Sequence, residues 1–183
     1  MCALAVLATF GVGSASAGAT VPNPLTGLVD AAAVRLQTAD PVAASKWLSK
    51  GSIEDRARAD QVLAAVTGDA VGAGIDADYV GRVFADQINA TEAVEYGRFS
   101  QWKLDPSAAP TTAPDLSASR STIDALNHTM VAEIASNWQL LHGPDCAADR
   151  DDAVASAVSA HQLDALYRAA LDFAARSYCQ PGA

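Results

Sequence analysis

Residues 77–104 read ADYVGRVFADQINATEAVEYGRFSQWKL, the longest stretch of the chain in which apolar side chains recur at the spacing of an α-helix. Asp76, directly before it, is of a residue type that caps helix N-termini. The stretch therefore predicts one long helix, and the sequence on either side indicates what packs against it.

The sequence before this helix predicts two more. The same spacing predicts a helix over residues 25–48, in which Pro41 must cause a kink or remove a hydrogen bond. Residues 52–55 resemble a capping box, so a second helix is predicted from there to about Asp69. A glycine-rich turn over residues 68–74 then leads into the long helix.

The sequence after the long helix begins with a connection. Residues 105–115 carry Pro106, Pro110 and Pro114, and we expect them to cross the surface rather than to link two domains. A helix is predicted over residues 117–141, and helical structure is predicted again over residues 146–178, in one or two pieces.

Composition favours helices throughout. Half of the residues are apolar but only 6% are aromatic, and alanine is frequent while runs of β-branched residues are scarce. Without the N-terminal segment described next, about 165 residues remain, which suits one domain with one core. The predicted fold is all-α: a single-domain bundle of about six helices over residues 18–183, with one disulfide.

The N-terminus has the features of a signal peptide. Residues 2–13 form an apolar run too short to span a membrane, and Ala15-Ser16-Ala17 matches an A-x-A cleavage pattern. The basic segment that usually precedes such a run is missing, so we expect residues 1–17 to be a signal peptide truncated at its start. The mature protein would be periplasmic or secreted, with no membrane association after cleavage.

The cysteines agree with export. Cys2 belongs to the predicted signal peptide, which leaves Cys146 and Cys179 as an even pair in a compartment where disulfides persist. We predict a bridge between them, with two buried thiols as the alternative.

Charge and motifs exclude several classes of function. The net charge of −9 argues against nucleic acid and anionic membranes as partners, because phosphate binding needs a basic field. No haem-attachment, zinc-protease, P-loop or dinucleotide motif occurs, and the 3 histidines have no ligand spacing. We therefore expect a small-molecule ligand, no cofactor and no metal.

Polar side chains interrupt two apolar faces. Arg35 and Lys46 lie within the apolar stripe of the helix over residues 25–48. Gln87, Thr91 and Glu95 form an i, i+4, i+8 ladder within the apolar face of the long helix. A buried polar group without a partner costs about 1 to 3 kcal/mol, and a charge costs more. Either these groups pair with one another, or an anion from outside meets the positive charge.

Three further residues extend this set. Asp55 and Arg58 lie three residues apart at the start of the second predicted helix. Arg120 lies near the start of the helix over residues 117–141, where position alone indicates a solvated side chain.

The arrangement of these residues resembles a known family. The matching positions are Arg35 and Lys46, Ile53-Glu54-Asp55 with Arg58, Asp86-Gln87-Ile88, Thr91 to Tyr96, Phe99 to Leu104, Ser117-Ala118-Ser119-Arg120 and the two late cysteines. Over nearly the whole mature chain, the sequence resembles the exported subclass of all-helical chorismate mutases, of the type found in mycobacteria.

The resemblance implies a reaction without covalent catalysis. Chorismate would rearrange to prephenate within one molecule, with no nucleophile and no cofactor. Negative charge would develop on the ether oxygen as its C–O bond breaks, and fixed cations are the natural complement to that charge. The resemblance also implies paired cysteines, a site built within one chain, and a homodimer.

The resemblance assigns roles to the cations. Arg35, Arg58 and Arg120 would hold the two substrate carboxylates, because guanidinium groups bind carboxylates in a bidentate manner. Lys46 would contact the ether oxygen and a carboxylate. The expected catalytic residues are Lys46, Arg58 and Glu95.

Glu95 would flank the ether oxygen from the other side. We expect it to be protonated and to donate a hydrogen bond, because a carboxylate there would repel the developing charge. Asp55 and Thr91 would contact the substrate or orient the arginines. Val62 stands where a close relative in the family has an amide side chain, so a secondary contact is expected to be absent.

Two other functions fit the same residues. One is an inactive exported helical protein that binds a small dicarboxylate, and the other is a structural bundle whose buried charges pair internally. The joint presence of Lys46 and Glu95 favours catalysis, since neither is needed merely to hold two carboxylates.

Overall fold

The computed structural model of the protein describes residues 22–180, so the predicted signal peptide lies outside the described residues. The structure of this part of the chain is helical, without strands, and forms a single domain as predicted. Its α-helices are α1 (Thr26–Gln37), α2 (Ala39–Ser49), α3 (Arg56–Ala73), α4 (Ala77–Leu104), α5 (Leu116–Ser136), α6 (Trp138–Leu141), α7 (Cys146–Ala160) and α8 (Ala165–Ala174). Within the same residues, no helix combines the length and the hydrophobicity needed to cross a membrane.

The long helix α4 has the predicted bounds and organises the fold. Asp76 caps it, since its carboxylate accepts hydrogen bonds from the backbone N–H groups of Asp78 and Tyr79. Helices α2, α3 and α8 pack along α4, while α1 packs against α5 and α7. Val83 and Phe84 are fully buried at the centre of this arrangement.

The first predicted helix is divided into α1 and α2 at Thr38. Pro41 lies in the first turn of α2, where its missing N–H leaves no hydrogen bond unmade. The Thr38 hydroxyl donates to the carbonyl oxygen of Arg35 at 2.7 Å. Arg35 and Lys46 therefore lie on two helices, and the prediction of one continuous stripe between them was wrong.

The second predicted helix differs at both ends. Asp55, rather than Ser52, caps α3, because its carboxylate accepts the backbone N–H of Arg58 at 3.1 Å. The helix continues through part of the predicted glycine-rich turn and ends at Gly74, which has a φ of 72°. Glycine adopts this left-handed conformation at little cost, so Gly74 is the glycine of the predicted turn at which the helix ends.

The fourth predicted helix is also divided. Asn137 separates α5 from α6, and its side-chain amide donates to the carbonyl oxygen of Glu133 at 3.0 Å. Divisions at Thr38 and Asn137 raise the number of α-helices above the expected six. The predicted connection is observed between α4 and α5, with a 3-10 turn at Pro106–Ala108.

The C-terminal part of the bundle is held by close packing and by the predicted disulfide. A side chain at Gly97 would approach Leu166 to within 2.7 Å, so glycine allows α8 to lie close to α4. Cys146 and Cys179 form the disulfide, with their Cα atoms 5.7 Å apart. The bridge joins the start of α7 to the segment that follows α8.

Candidate active site

A cavity opens among helices α1 to α5, and its walls combine charged and apolar side chains. Its inner part has a volume of about 100 Å³, and an adjoining outer part has about 670 Å³. The predicted binding residues in the inner part are Arg35, Lys46, Asp55, Arg58, Thr91 and Glu95. Arg120 lines the outer part, which shares Lys46, Asp55 and Arg58 with the inner one. The fold thus brings the predicted residues together around one continuous space.

Arg35 is a buried cation with neutral partners. It lies in the last turn of α1 and is 4% exposed. Its Nε donates to Asn127 Oδ1 at 2.7 Å, and its Nη1 donates to Thr91 Oγ1 at 3.3 Å. Among residues 22–180 it forms no ion pair. Burial lowers the pKa of Arg35 to about 10, so the guanidinium remains charged at neutral pH.

Lys46 is fixed between a carbonyl and a carboxylate. Its Nζ donates to the backbone oxygen of Ile53 at 2.6 Å and to Glu95 Oε2 at 2.7 Å. Internal pairing of the buried charges, raised as an alternative from the sequence, therefore occurs at Lys46 and Glu95. It does not extend to Arg35.

Glu95 lies on α4 and is only 2% exposed. Burial raises its pKa to about 7, although the hydrogen bond and the charge of Lys46 act in the opposite direction. The carboxylate of Glu92 adds to the increase. Near neutral pH the side chain of Glu95 can therefore carry a proton or lose it.

Arg58 lies at the rim of the inner cavity. Its Nη2 donates to Asp124 Oδ1 at 2.6 Å, and the Asp124 side chain is 52% exposed. Asp55 bonds to the backbone N–H of Arg58 rather than to its guanidinium. Asp55 therefore caps helix α3 and also lines both parts of the cavity.

Arg120 is exposed and forms no ion pair among the residues that the structure describes. It lies on α5 and lines the outer cavity together with Arg58. Its position agrees both with a solvated side chain and with a ligand contact.

The polar ladder of α4 divides between the cavity and the core. The Thr91 hydroxyl donates to the carbonyl oxygen of Gln87 at 2.8 Å, so its oxygen is free to accept from Arg35. Gln87 is fully buried, and its amide donates to the carbonyl oxygen of Ala32 at 3.1 Å. Thr91 and Glu95 reach the cavity, whereas Gln87 joins α4 to α1.

Asp124 and Asn127, which contact Arg58 and Arg35 respectively, were not predicted from the sequence. They lie three residues apart on α5, so their side chains share one side of the helix. Asn127 could have been found from the sequence, because it is a polar residue within the apolar face that also carries Ile123 and Met130.

Two further features of the described residues concern metal binding and the apolar walls of the inner cavity. Within residues 22–180, no group of histidine, cysteine and acidic side chains could hold a metal ion. Apolar side chains close the inner cavity between the charged groups: Val42, Ile53, Ala59, Val62, Ile88 and Ile123. An organic anion with an apolar ring would therefore find both kinds of contact.

Comparisons with known proteins identify the family of the chain. The family model of type II chorismate mutase matches residues 26–96, which include every predicted binding residue except Arg120. Among solved structures, the chain is similar to the chorismate mutase from Burkholderia phymatum, with a TM-score of 0.82 and 32% identity over 86% of this chain and 97% of that chain.

Two curated relatives extend the similarity over nearly the whole chain. A secreted chorismate mutase from Mycolicibacterium smegmatis is 55% identical over 180 residues, which are 98% of this chain and 99% of the relative. A secreted chorismate mutase from Mycobacterium tuberculosis is 53% identical over 177 residues, which are 97% and 88% of the two chains. The chain belongs to the type II chorismate mutase family.

Proposed function

We propose that the protein is an exported chorismate mutase, which converts chorismate to prephenate. The observation that carries the proposal is Arg35, a buried cation that lines the cavity and whose hydrogen-bond partners within residues 22–180 are all neutral. A buried charge of this kind is costly unless an anion meets it. The names of the curated relatives identify the substrate class that would supply the anion.

The arginines suit a dicarboxylate. Arg35 and Arg58 line the inner cavity, and Arg120 lines the outer one. A ligand with two carboxylates could bridge these positions and would be held in a compact conformation. Fixing the reacting carbons near one another supplies a large part of the rate enhancement in an intramolecular reaction.

Lys46 and Glu95 suit the breaking ether bond. The rearrangement breaks one C–O bond and forms one C–C bond within the same molecule, and no proton is transferred. Partial negative charge on the ether oxygen would be stabilised by the ammonium group of Lys46. A protonated Glu95 would donate a hydrogen bond to the same oxygen, and its raised pKa near 7 supports that protonation state.

Export rests on two observations. The curated relatives are named as secreted, and the disulfide Cys146–Cys179 needs an oxidising compartment. We propose that residues 1–17 are removed as a signal peptide and that residues 18–183 form the mature catalytic domain.

We also propose that the protein forms a homodimer. Near the ends of α2 and α4, Trp47, Phe99 and Trp102 form an edge-packed cluster, and beside it Leu48 and Leu104 are 44% and 85% exposed. Exposed apolar groups of this kind are typical of association surfaces. Because the proposed site residues come from one chain, each protomer should be active on its own.

Sedimentation velocity tests the dimer. The mature chain should sediment as a dimer, and Leu104→Asp should shift it to a monomer that retains its kcat. A monomeric wild-type chain would contradict association, and it would leave the proposed reaction unaffected.

Turnover tests the proposed reaction. The loss of chorismate is followed by its ultraviolet absorbance with residues 18–183, beside a Lys46→Ala variant. Loss of one electrostatic donor should cost about 3 kcal/mol or more of transition-state stabilisation, so the variant should retain about 1% of kcat/KM or less. Wild-type protein that is stabilised by chorismate without consuming it would instead indicate a binding protein.

A further inference from the structure

The inner arginine and the rim arginine have partners of different chemistry on the same helix. Asn127 is 5% exposed and offers Arg35 a neutral amide oxygen at 2.7 Å. One turn earlier on α5, Asp124 offers Arg58 a carboxylate at 2.6 Å, and this carboxylate is half exposed. Solvent screens the second pair, whereas Arg35 is only 4% exposed, so a charge bonded to it would be screened much less.

The neutral partner leaves Arg35 without a directly bonded counter-ion among residues 22–180. Its guanidinium has five N–H groups. Asn127 takes the Nε–H, and Thr91, whose own hydroxyl hydrogen goes to Gln87, takes one N–H of Nη1. The guanidinium is thus held at two points by neutral acceptors, and its other N–H groups, which have no hydrogen-bond partner in the described part of the chain, remain for a ligand.

A carboxylate at position 127 would hold the side chain of Arg35 equally well but would cancel its charge. Because Arg35 is almost fully buried, such a pair would be weakly screened, so a ligand carboxylate would have to compete with it. The identity of residue 127 therefore decides whether Arg35 is a free anion-binding group.

We propose that Asn127 is a positioning residue of the reaction, which fixes the direction of Arg35 while it leaves the positive charge available to a substrate carboxylate. The inference rests on the proposed function. Asn127 does not line either part of the cavity, so it would act through Arg35.

Two substitutions separate positioning from simple structural support. Asn127→Asp keeps the acceptor oxygen and the size of the side chain but adds a buried counter-ion. We expect KM for chorismate to rise at least about 10-fold, which is the loss of about 1.4 kcal/mol of binding, while Tm is unchanged or higher. Asn127→Ala removes the acceptor without adding charge, so Tm should fall and KM should rise less than in Asn127→Asp.

A matched control removes the effect of net charge. Asn89→Asp makes the same chemical change at an exposed position of α4, and its KM should stay within about 2-fold of the wild-type value. If instead KM rose more in Asn127→Ala, the less stable variant, than in Asn127→Asp, the KM would follow the stability of the protein. Asn127 would then be merely structural, and the inference would be wrong. The same conclusion follows if Asn127→Asp keeps the wild-type KM.

The outcome also separates this inference from the proposed function. An inactive wild type that still binds chorismate would remove the catalytic proposal, and the Kd of the variants, measured by calorimetry, would then test the role of Asn127 by the same ranking. A wild type that neither binds nor converts chorismate would overturn both.

Discussion

The ammonium group of Lys46 lies 2.7 Å from Oε2 of Glu95, at the wall of the cavity. Opposite charges at this distance usually hold a carboxylate in its ionised form. Here burial has the larger effect, and the pKa of Glu95 is raised to about 7. Lys46 and Glu95 therefore form a pair in which the carboxylate can become protonated near neutral pH.

This pair makes the proposed activity depend on pH. Protonated Glu95 donates to the ether oxygen and ionised Glu95 repels it, so kcat/KM should fall as pH rises through about 7. Glu95→Gln keeps a donor at every pH and should flatten the profile between pH values of about 5 and 9. Initial rates across this range are the measurement, and an unchanged slope in the variant would contradict the role of Glu95.

Glu92→Gln is a suitable control for this profile. Glu92 also lines the inner cavity, and its negative charge raises the pKa of Glu95. Removal of that charge should move the midpoint of the wild-type profile to a slightly lower pH and leave its slope in place. A flat profile in this variant would assign the titration to Glu92 instead.

Arg58 and Asp124 provide a second test, because the two partners of one ion pair should differ in their effect on the reaction. Arg58→Ala removes a proposed carboxylate contact and should cost about 3 kcal/mol in kcat/KM. Asp124→Ala breaks the same pair but at a half-exposed position, where such pairs contribute about 1 kcal/mol or less.

The measurement is kcat/KM for both variants, with a thermal melt of each. Equal losses of kcat/KM would mean that Arg58 acts through its ion pair rather than through the substrate. A folded Arg58→Ala variant with wild-type kcat/KM would exclude it from the site.

The sequence predicted long helices well where their ends carry a clear signal. Helix α4 has its predicted bounds because Asp76 caps it and Pro106 follows its end. The break at Thr38 was missed because Pro41 is compatible both with a kink and with the first turn of a new helix. At Gly74 only the backbone angle shows which glycine ends the helix.

The structure places the residues predicted from the sequence in the walls of the cavity, but the sequence did not predict their contacts. The polar positions in apolar faces identified Arg35, Lys46 and Glu95. The partners of the arginines lie far along the chain, with Asn127 separated from Arg35 by 92 residues, and helical periodicity carries no information over that distance. Which cation receives a counter-ion therefore required the structure.

The disulfide provides the third test, because it should stabilise the protein without contributing to the site. Cys146 and Cys179 are 33 residues apart and lie outside helices α1 to α5, which form the cavity. The C-terminal segment is also held by Tyr79, whose hydroxyl donates to the carbonyl oxygen of Tyr178 at 2.6 Å, and by Ser177, whose hydroxyl donates to Asp86 at 2.5 Å. These contacts should preserve the native packing without the bridge.

The main effect of the bridge should then be on the unfolded chain. Replacing both cysteines by alanine should lower the free energy of unfolding by about 3 to 4 kcal/mol, the loop-closure value for a ring of this length, while kcat and KM at 25 °C stay within about 2-fold. Urea unfolding with and without a reducing agent measures this effect, since the reductant should destabilise the wild type alone. A variant that is folded but inactive would show that the bridge positions the site, because closure of a remote loop alone cannot change turnover.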